Sequence, residues 1–173
     1  MTDPRQPESP HAEDADWAEA VEESLAASAT LPGALLPVLH GVQDRLGWIP
    51  PAALPRIASA LNLSHADVHG VVSFYHDFRH APPGRHVVKI CRAEACQSVG
   101  SERLCREFSD GRYLPFGKTA ADGSVTLEAV YCLGNCALGP SAMVDGRLHG
   151  RVTAERLESL VAAPGGAPRG GRA

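Results

Sequence analysis

Apolar positions along the chain keep two rhythms, and the change falls near Gly84. In DADWAEAVEESLAAS, Trp17, Val21 and Leu25 recur at helical spacing with acids on the opposite side. GALLPVLHGVQDRLG repeats the pattern through Leu35, Val38, Leu39, Val42 and Leu46. Gly47 stands where that helix should end, and Pro37 fits best in its first turn. PAALPRIASALN predicts a third helix, and Ser64 is placed to cap a fourth running through NLSHADVHGVVSFY. Phe74 and Tyr75, at its far end, are expected to pack an interdomain core.

Past Gly84 the rhythm shortens. HVVKI is a β-type run leading straight into Cys91. SERLCREFSD returns to helical spacing with Leu104 and Phe108 on one face. VTLEAVYC alternates into Cys132, and AMVDGRLHG carries a hairpin signal with Asp145-Gly146 at its turn. Thr153 is placed to cap a last helix, AERLESLVA. The order strand, helix, strand, hairpin, helix predicts a small α/β layer, so the fold class is α+β: a helical region over 14–80, then an α/β domain over 81–162. Residues 1–13 are rich in Pro and charge, and 163–173 in Gly and Pro; both are expected to be disordered.

Bulk properties narrow the function. A chain of 173 residues with 44% hydrophobic residues suits one ordinary domain with a helical appendage and a real core. No apolar run approaches the roughly 20 residues that cross a bilayer, and the amino terminus lacks the pattern of a secretory signal. The expected location is therefore the cytoplasm, without membrane insertion. The net charge of −4 is uneven, since residues 1–28 carry eight acids against one base and leave the remainder slightly basic. No basic stripe with interleaved aromatics points to nucleic acid.

Chemistry concentrates on the cysteines. There are five, Cys91, Cys96, Cys105, Cys132 and Cys136, and in a reducing compartment they do not read as a disulfide framework. Two pairs, Cys91 with Cys96 and Cys132 with Cys136, each begin where a predicted strand ends. Strands ending side by side would bring the pairs together. Four thiolates so placed suit a [2Fe–2S] cluster, which takes two at each iron. Gly134 and Gly139 allow tight bends around the second pair, while Lys89 and Arg92 beside the first would favour a reduced cluster and Glu94 oppose it. Spacing alone leaves structural zinc open, although C-x4-C and C-x3-C depart from its familiar C-x2-C. Thiol redox chemistry is the weakest reading, because a thioredoxin-type C-x-x-C is absent. Cys105, mid-helix beside Leu104, reads as a small hydrophobe.

Other motifs fall short. His65 and His69 stand four apart on a predicted helix, as do His76 and His80 by spacing, but no glutamate completes H-E-x-x-H. Gly117-Lys118-Thr119 resembles the end of a phosphate loop, yet Arg112 occupies the place of its earlier glycine. No G-x-G-x-x-G and no Ser/His/Asp arrangement appears, so no catalytic residue is assigned and substrate chemistry is expected on other chains.

CRAEACQ followed by CLGNCALGP resembles the thioredoxin-like [2Fe–2S] ferredoxins, which include the 24-kDa subunit of respiratory complex I. LLPVLHGVQDRLGWIP and ALNLSHADVHGVVSFYHDFR are similar to the helical amino-terminal region of that family. The likeness covers about residues 30–160. Within the family, HGVVSFYHDFRHAPPGRHVVKICRAEACQSVG and the second loop most resemble the gamma subunits of NAD-dependent molybdenum formate dehydrogenases, with RAE in the first loop the main reason. The resemblance implies a thioredoxin-like domain over 81–162 and a helical docking region over 14–80. It also implies one [2Fe–2S] cluster on Cys91, Cys96, Cys132 and Cys136. The implied partners are a flavoprotein subunit carrying FMN and further iron–sulfur clusters, and a large subunit carrying the molybdenum (molybdopterin) cofactor, in a complex that oxidises formate with NAD. Relatives of the same subunit serve NADH:quinone oxidoreductases and NAD-linked hydrogenases. A zinc-stabilised adaptor without redox role is the alternative from another class.

Overall fold

Four helices come first, as the apolar rhythm predicts: α1 (Asp14–Ser28), α2 (Leu35–Leu46), α3 (Ala53–Ala60) and α4 (His65–Phe74). They are seen in a computed structural model that describes residues 14–28 and 30–162. The segments expected to be disordered, 1–13 and 163–173, lie outside the described residues. Pro37 is the third residue of α2, where a missing N–H leaves no intrahelical bond unmade. Gly47 ends that helix at φ +81°, and its N–H donates to the Gln43 carbonyl at 2.7 Å. At the start of α4, Ser64 and Asp67 form a reciprocal cap, with the Asp67 N–H donating to Ser64 Oγ at 3.0 Å and the Ser64 N–H to Asp67 Oδ2 at 3.3 Å.

Contacts divide the chain into two units: Met1–Val42 with Ile49–His80, and Gln43–Trp48 with Ala81–Ala173. In the first unit α3 packs against α1 and α4, and Val21, Ile57, Val68 and Val72 are buried. Phe74 and Tyr75 do not join a core. Their side chains are exposed because α4 ends at Phe74 and the backbone turns extended at Tyr75. Phe78, 3% exposed, is the aromatic that goes inside, with its ring centroid 5.0 Å from that of His40.

The second unit runs β1 (His86–Cys91), α5 (Glu94–Ser98), α6 (Ser101–Arg112), β2 (Lys118–Thr119), β3 (Val125–Val130), β4 (Ala142–Val144), β5 (Arg147–His149) and α7 (Ala154–Val161). The sheet order is β2-β3-β1-β4-β5. β1 and β3 are parallel neighbours, and the other pairings are antiparallel. A parallel pair needs a crossover, and α6 lies within it. Leu104, Cys105 and Phe108 of α6 and Leu157 of α7 join Val88, Ile90 and Leu127 of the central strands in one core. Two elements lack a sequence signal, α5 with five residues and β2 with two, because neither is long enough to show a period.

Polar contacts brace this layer at the end of β1 away from Cys91. The hairpin turn holds Asp145 at φ +50°. Its carboxylate accepts the Val87 N–H at 2.8 Å and lies 2.7 Å from His86 Nδ1. Thr153 caps α7 by accepting the Arg156 N–H at 3.2 Å. Among the described residues no helix is long and apolar enough to cross a membrane.

Candidate metal centre

β1 and β3 deliver the two cysteine pairs to one edge of the sheet. Their register places Cys91 opposite Val130, and Cys132 follows two residues later. The Arg92 N–H donates to the Val130 carbonyl at 2.7 Å, carrying the ladder one step past the strand end. Proximity that the sequence hides is thus built by a parallel strand pair.

The two loops differ in form. Cys91 closes β1, and Cys96 sits inside α5, whose first turn bonds the Cys96 N–H to the Ala93 carbonyl at 2.9 Å. The Gln97 side chain clamps the loop by donating to the Arg92 carbonyl at 2.7 Å. Both thiols are buried, each 2% exposed. The second loop is open, and Cys132 and Cys136 are exposed. Cys132 adopts φ +151°, and Gly134 at φ +71° turns its N–H toward the Cys132 sulfur at 3.3 Å. Cys136 begins a 3-10 turn ending at Leu138, ahead of a cis Gly139–Pro140 bond.

Electrostatics link the four thiols. Burial pushes the Cys96 thiol above its usual range. The Ser141 backbone opposes that shift, while the Cys91 thiol and Cys136 add to it. The Cys136 thiol is also raised, first by its hydrogen bond to Cys132 and by that group's charge, then by desolvation and by Cys91. All five cysteines are free thiols.

Among the described residues no group of three or more His, Cys, Asp or Glu side chains is arranged to hold a single metal ion. What the geometry offers instead is two thiol pairs on loops that the parallel strands β1 and β3 bring side by side, each sensing the other's charge. A [2Fe–2S] cluster asks for that donor set, two sulfurs to an iron with backbone N–H groups directed at the sulfurs. The residues present fit it. A mononuclear zinc site would need the sulfurs gathered around one point.

Two electrostatic expectations change. Lys89 Nζ lies 3.4 Å from Glu128, its cross-strand partner on β3. Arg92 reaches Glu102 at 3.3 Å, and its guanidinium lies 5.2 Å from the Phe116 ring centroid. Both cations expected to favour a reduced cluster are therefore ion-paired, which offsets their charge. Cys105 behaves as read, buried in the core on α6. His65 and His69 share the exposed face of α4, with ring centroids 6.3 Å apart. His76 and His80 lie beyond the helix end.

Several residues of the site carried no sequence signal. Ser101 is fully buried and donates its hydroxyl proton to the Cys91 carbonyl. Asn135 and Ser141 bond each other between the loops. Gly139, already marked in the sequence as a bend residue, also lies so close to Cys96 that an added Cβ would stand 3.5 Å from its sulfur. Single short polar residues at element ends and in loops have no period to betray them.

Known proteins place this architecture. Residues 21–164 match the thioredoxin-like [2Fe–2S] ferredoxin family. The chain is 36% identical to an NADH-quinone oxidoreductase subunit of Pseudomonas aeruginosa over 130 residues, which is 75% of this chain and 78% of that one. It is 31% identical over 130 residues to the HndA subunit of an NADP-reducing hydrogenase from Solidesulfovibrio fructosivorans, covering 75% of this chain and 76% of the relative. A crystal structure of an NAD+-reducing [NiFe]-hydrogenase superposes with a TM-score of 0.65 at 27% identity, covering 78% of this chain. This chain spans only 22% of that hydrogenase chain. Since the matched region takes in most of the helical unit, the whole sheet and both cysteine loops, the chain belongs to the thioredoxin-like [2Fe–2S] ferredoxin family, of which one such cluster is typical.

Proposed function

We propose that this chain is an electron-transfer subunit of a multi-subunit, NAD(H)-linked oxidoreductase, with one [2Fe–2S] cluster held by Cys91, Cys96, Cys132 and Cys136. The observation that carries the reading is the pairing of the thiols. The parallel pair β1 and β3 sets Cys91 opposite Val130 and brings the loop of Cys91 and Cys96 beside that of Cys132 and Cys136, and charge is felt between the pairs. When bound, the cluster takes up and passes on single electrons. This chain's residues would hold it and shape its surroundings: buried Cys91 and Cys96 exclude water on one side, and the N–H of Gly134 points at the Cys132 sulfur. No substrate site is assigned to the chain. In this reading it works in the cytoplasm beside an FMN-binding subunit.

The parent complex follows the relatives. Their names support an NADH-quinone oxidoreductase or an NAD(P)-linked hydrogenase better than the NAD-dependent formate dehydrogenase suggested by the first loop. The latter rests on the stretch HGVVSFYHDFRHAPPGRHVVKICRAEACQSVG and the second loop, with the RAE of residues 92–94 as the main reason. Affinity purification of the tagged chain from its own cells, followed by identification of the co-purifying subunits, separates these. A partner with a molybdenum cofactor would restore formate dehydrogenase, and a nickel–iron subunit would select the hydrogenase. For the cluster itself, Cys132→Ser should lose iron and sulfide while Cys105→Ser retains both; a normal cluster in Cys132→Ser would refute the ligand assignment.

A further inference from the structure

Ser141 touches both cysteine loops by different parts of itself. It is 1% exposed and lies between Pro140 and β4. Its carbonyl accepts the Cys91 N–H at 3.0 Å. Its hydroxyl accepts from Asn135 Nδ2 at 3.1 Å and lies 3.3 Å from the Asn135 carbonyl and 3.4 Å from the Leu138 carbonyl. A single hydroxyl proton serves those two carbonyls between them. Asn135 and Leu138 flank Cys136, so the carbonyl of Ser141 is bonded to the backbone of Cys91 in the first pair and its side chain to the loop that carries Cys136.

The hydroxyl is the part that depends on residue identity. Alanine at this position would keep the carbonyl that serves the Cys91 N–H. The Leu138 carbonyl would retain the Arg151 N–H at 2.6 Å, and the Asn135 carbonyl the Leu138 N–H at 3.0 Å. What would be lost is the direct tie to the second loop and the partner of the Asn135 amide. We propose that Ser141, with Asn135, is a positioning residue pair that sets where Cys136 stands against Cys91 and Cys96, and so governs how tightly the cluster is kept and at what potential it works. The proposal rests on the cluster assignment above. Groups one step removed from the ligands commonly tune metal affinity and potential in this way.

The test uses the full-length chain, loaded anaerobically with iron and sulfide, as wild type, Ser141→Ala and Asn135→Ala. Iron and sulfide content is measured first. Release of iron to a chelator, midpoint potential by electron paramagnetic resonance titration, and melting of the cluster-free chain follow. Ser141→Ala should hold a cluster, release iron about five- to tenfold faster, as expected for the loss of a buried hydrogen bond or two, and show a shifted potential. Asn135→Ala should move both readouts the same way. Wild-type release rate and potential in both variants would overturn the proposal, as would a change confined to the melting temperature. Should Ser141→Ala not fold, Asn135→Ala decides by the same readouts. A wild-type chain that takes up neither iron nor sulfide would overturn the cluster assignment itself, and the positioning role with it.

Discussion

Gly150→Ala tests how the second cysteine loop is held. Gly150 joins β5 to the cap of α7, and a Cβ added there would stand 2.7 Å from Leu138 Cβ, 2.9 Å from Asn135 Nδ2 and 2.9 Å from the Leu138 carbonyl oxygen. Two of these atoms belong to or adjoin backbone, so relief requires the loop or the Gly150–Val152 run to move. That run is stitched to the loop by Arg151 N–H to Leu138 C=O at 2.6 Å and Val152 N–H to Pro140 C=O at 3.0 Å. Overpacking of this kind costs about 1–3 kcal/mol. The smaller entropy of an unfolded chain with alanine returns roughly 0.4–1 kcal/mol. The net loss should be about 1–2 kcal/mol, lowering the melting temperature by roughly 5–10 °C for a unit of this size. Gly70→Ala is the control, because it sits inside α4 with no heavy atom within 4 Å of an added Cβ. It should gain up to about 1 kcal/mol of helix stability. Urea and thermal unfolding followed by circular dichroism read both. Equal stability of Gly150→Ala and wild type, or equal damage by the two substitutions, would refute the reasoning.

Three further outcomes follow from individual contacts. Ser64→Ala removes the reciprocal cap of α4 and should cost about 1 kcal/mol in urea unfolding. Arg112→Ala breaks the ion pair with Glu158 and the contact over the Phe108 ring; a loss of roughly 0.5–1.5 kcal/mol is expected, part of it vanishing in high salt. The Cys105 thiol is held above its usual range mainly by burial, with Ser101 partly opposing. The folded chain therefore binds that proton more tightly than the unfolded chain. Its stabilising effect is complete below the ordinary thiol range near pH ~8.5 and is lost as pH rises through the higher folded value. Between pH 8 and pH 10 the urea midpoint of the cluster-free wild type should fall more than that of Cys105→Ala; parallel falls would count against the assignment.

Most of the fold was legible because long, periodic elements dominate it. Val38, Leu39 and Val42 on α2, and Leu104 and Phe108 on α6, announced their buried faces by spacing alone. End signals were reliable too: Gly47 stops α2, and Ser64 and Thr153 cap their helices. The side-by-side placing of the two cysteine-bearing loops was also readable, since two apolar strands each run toward a cysteine and pair in parallel. What stayed hidden was shorter or non-local. α5 buries Cys96 while the second pair stays exposed, an asymmetry that spacing cannot encode. Phe74 and Tyr75 looked like core by composition, yet the end of α4 leaves them outside and sends Phe78 in. The ion pairs of Lys89 and Arg92 have no sequence signal, because Glu128 and Glu102 are neighbours only in the folded sheet and helix.

Chemical analysis of the purified full-length chain for iron, acid-labile sulfide and zinc, with electron paramagnetic resonance after reduction, tests the cluster assignment most directly. The account predicts iron and sulfide in equal amounts, in the proportion of one [2Fe–2S] cluster per chain, and the signal of a reduced cluster. Stoichiometric zinc without sulfide, and no signal, would contradict it.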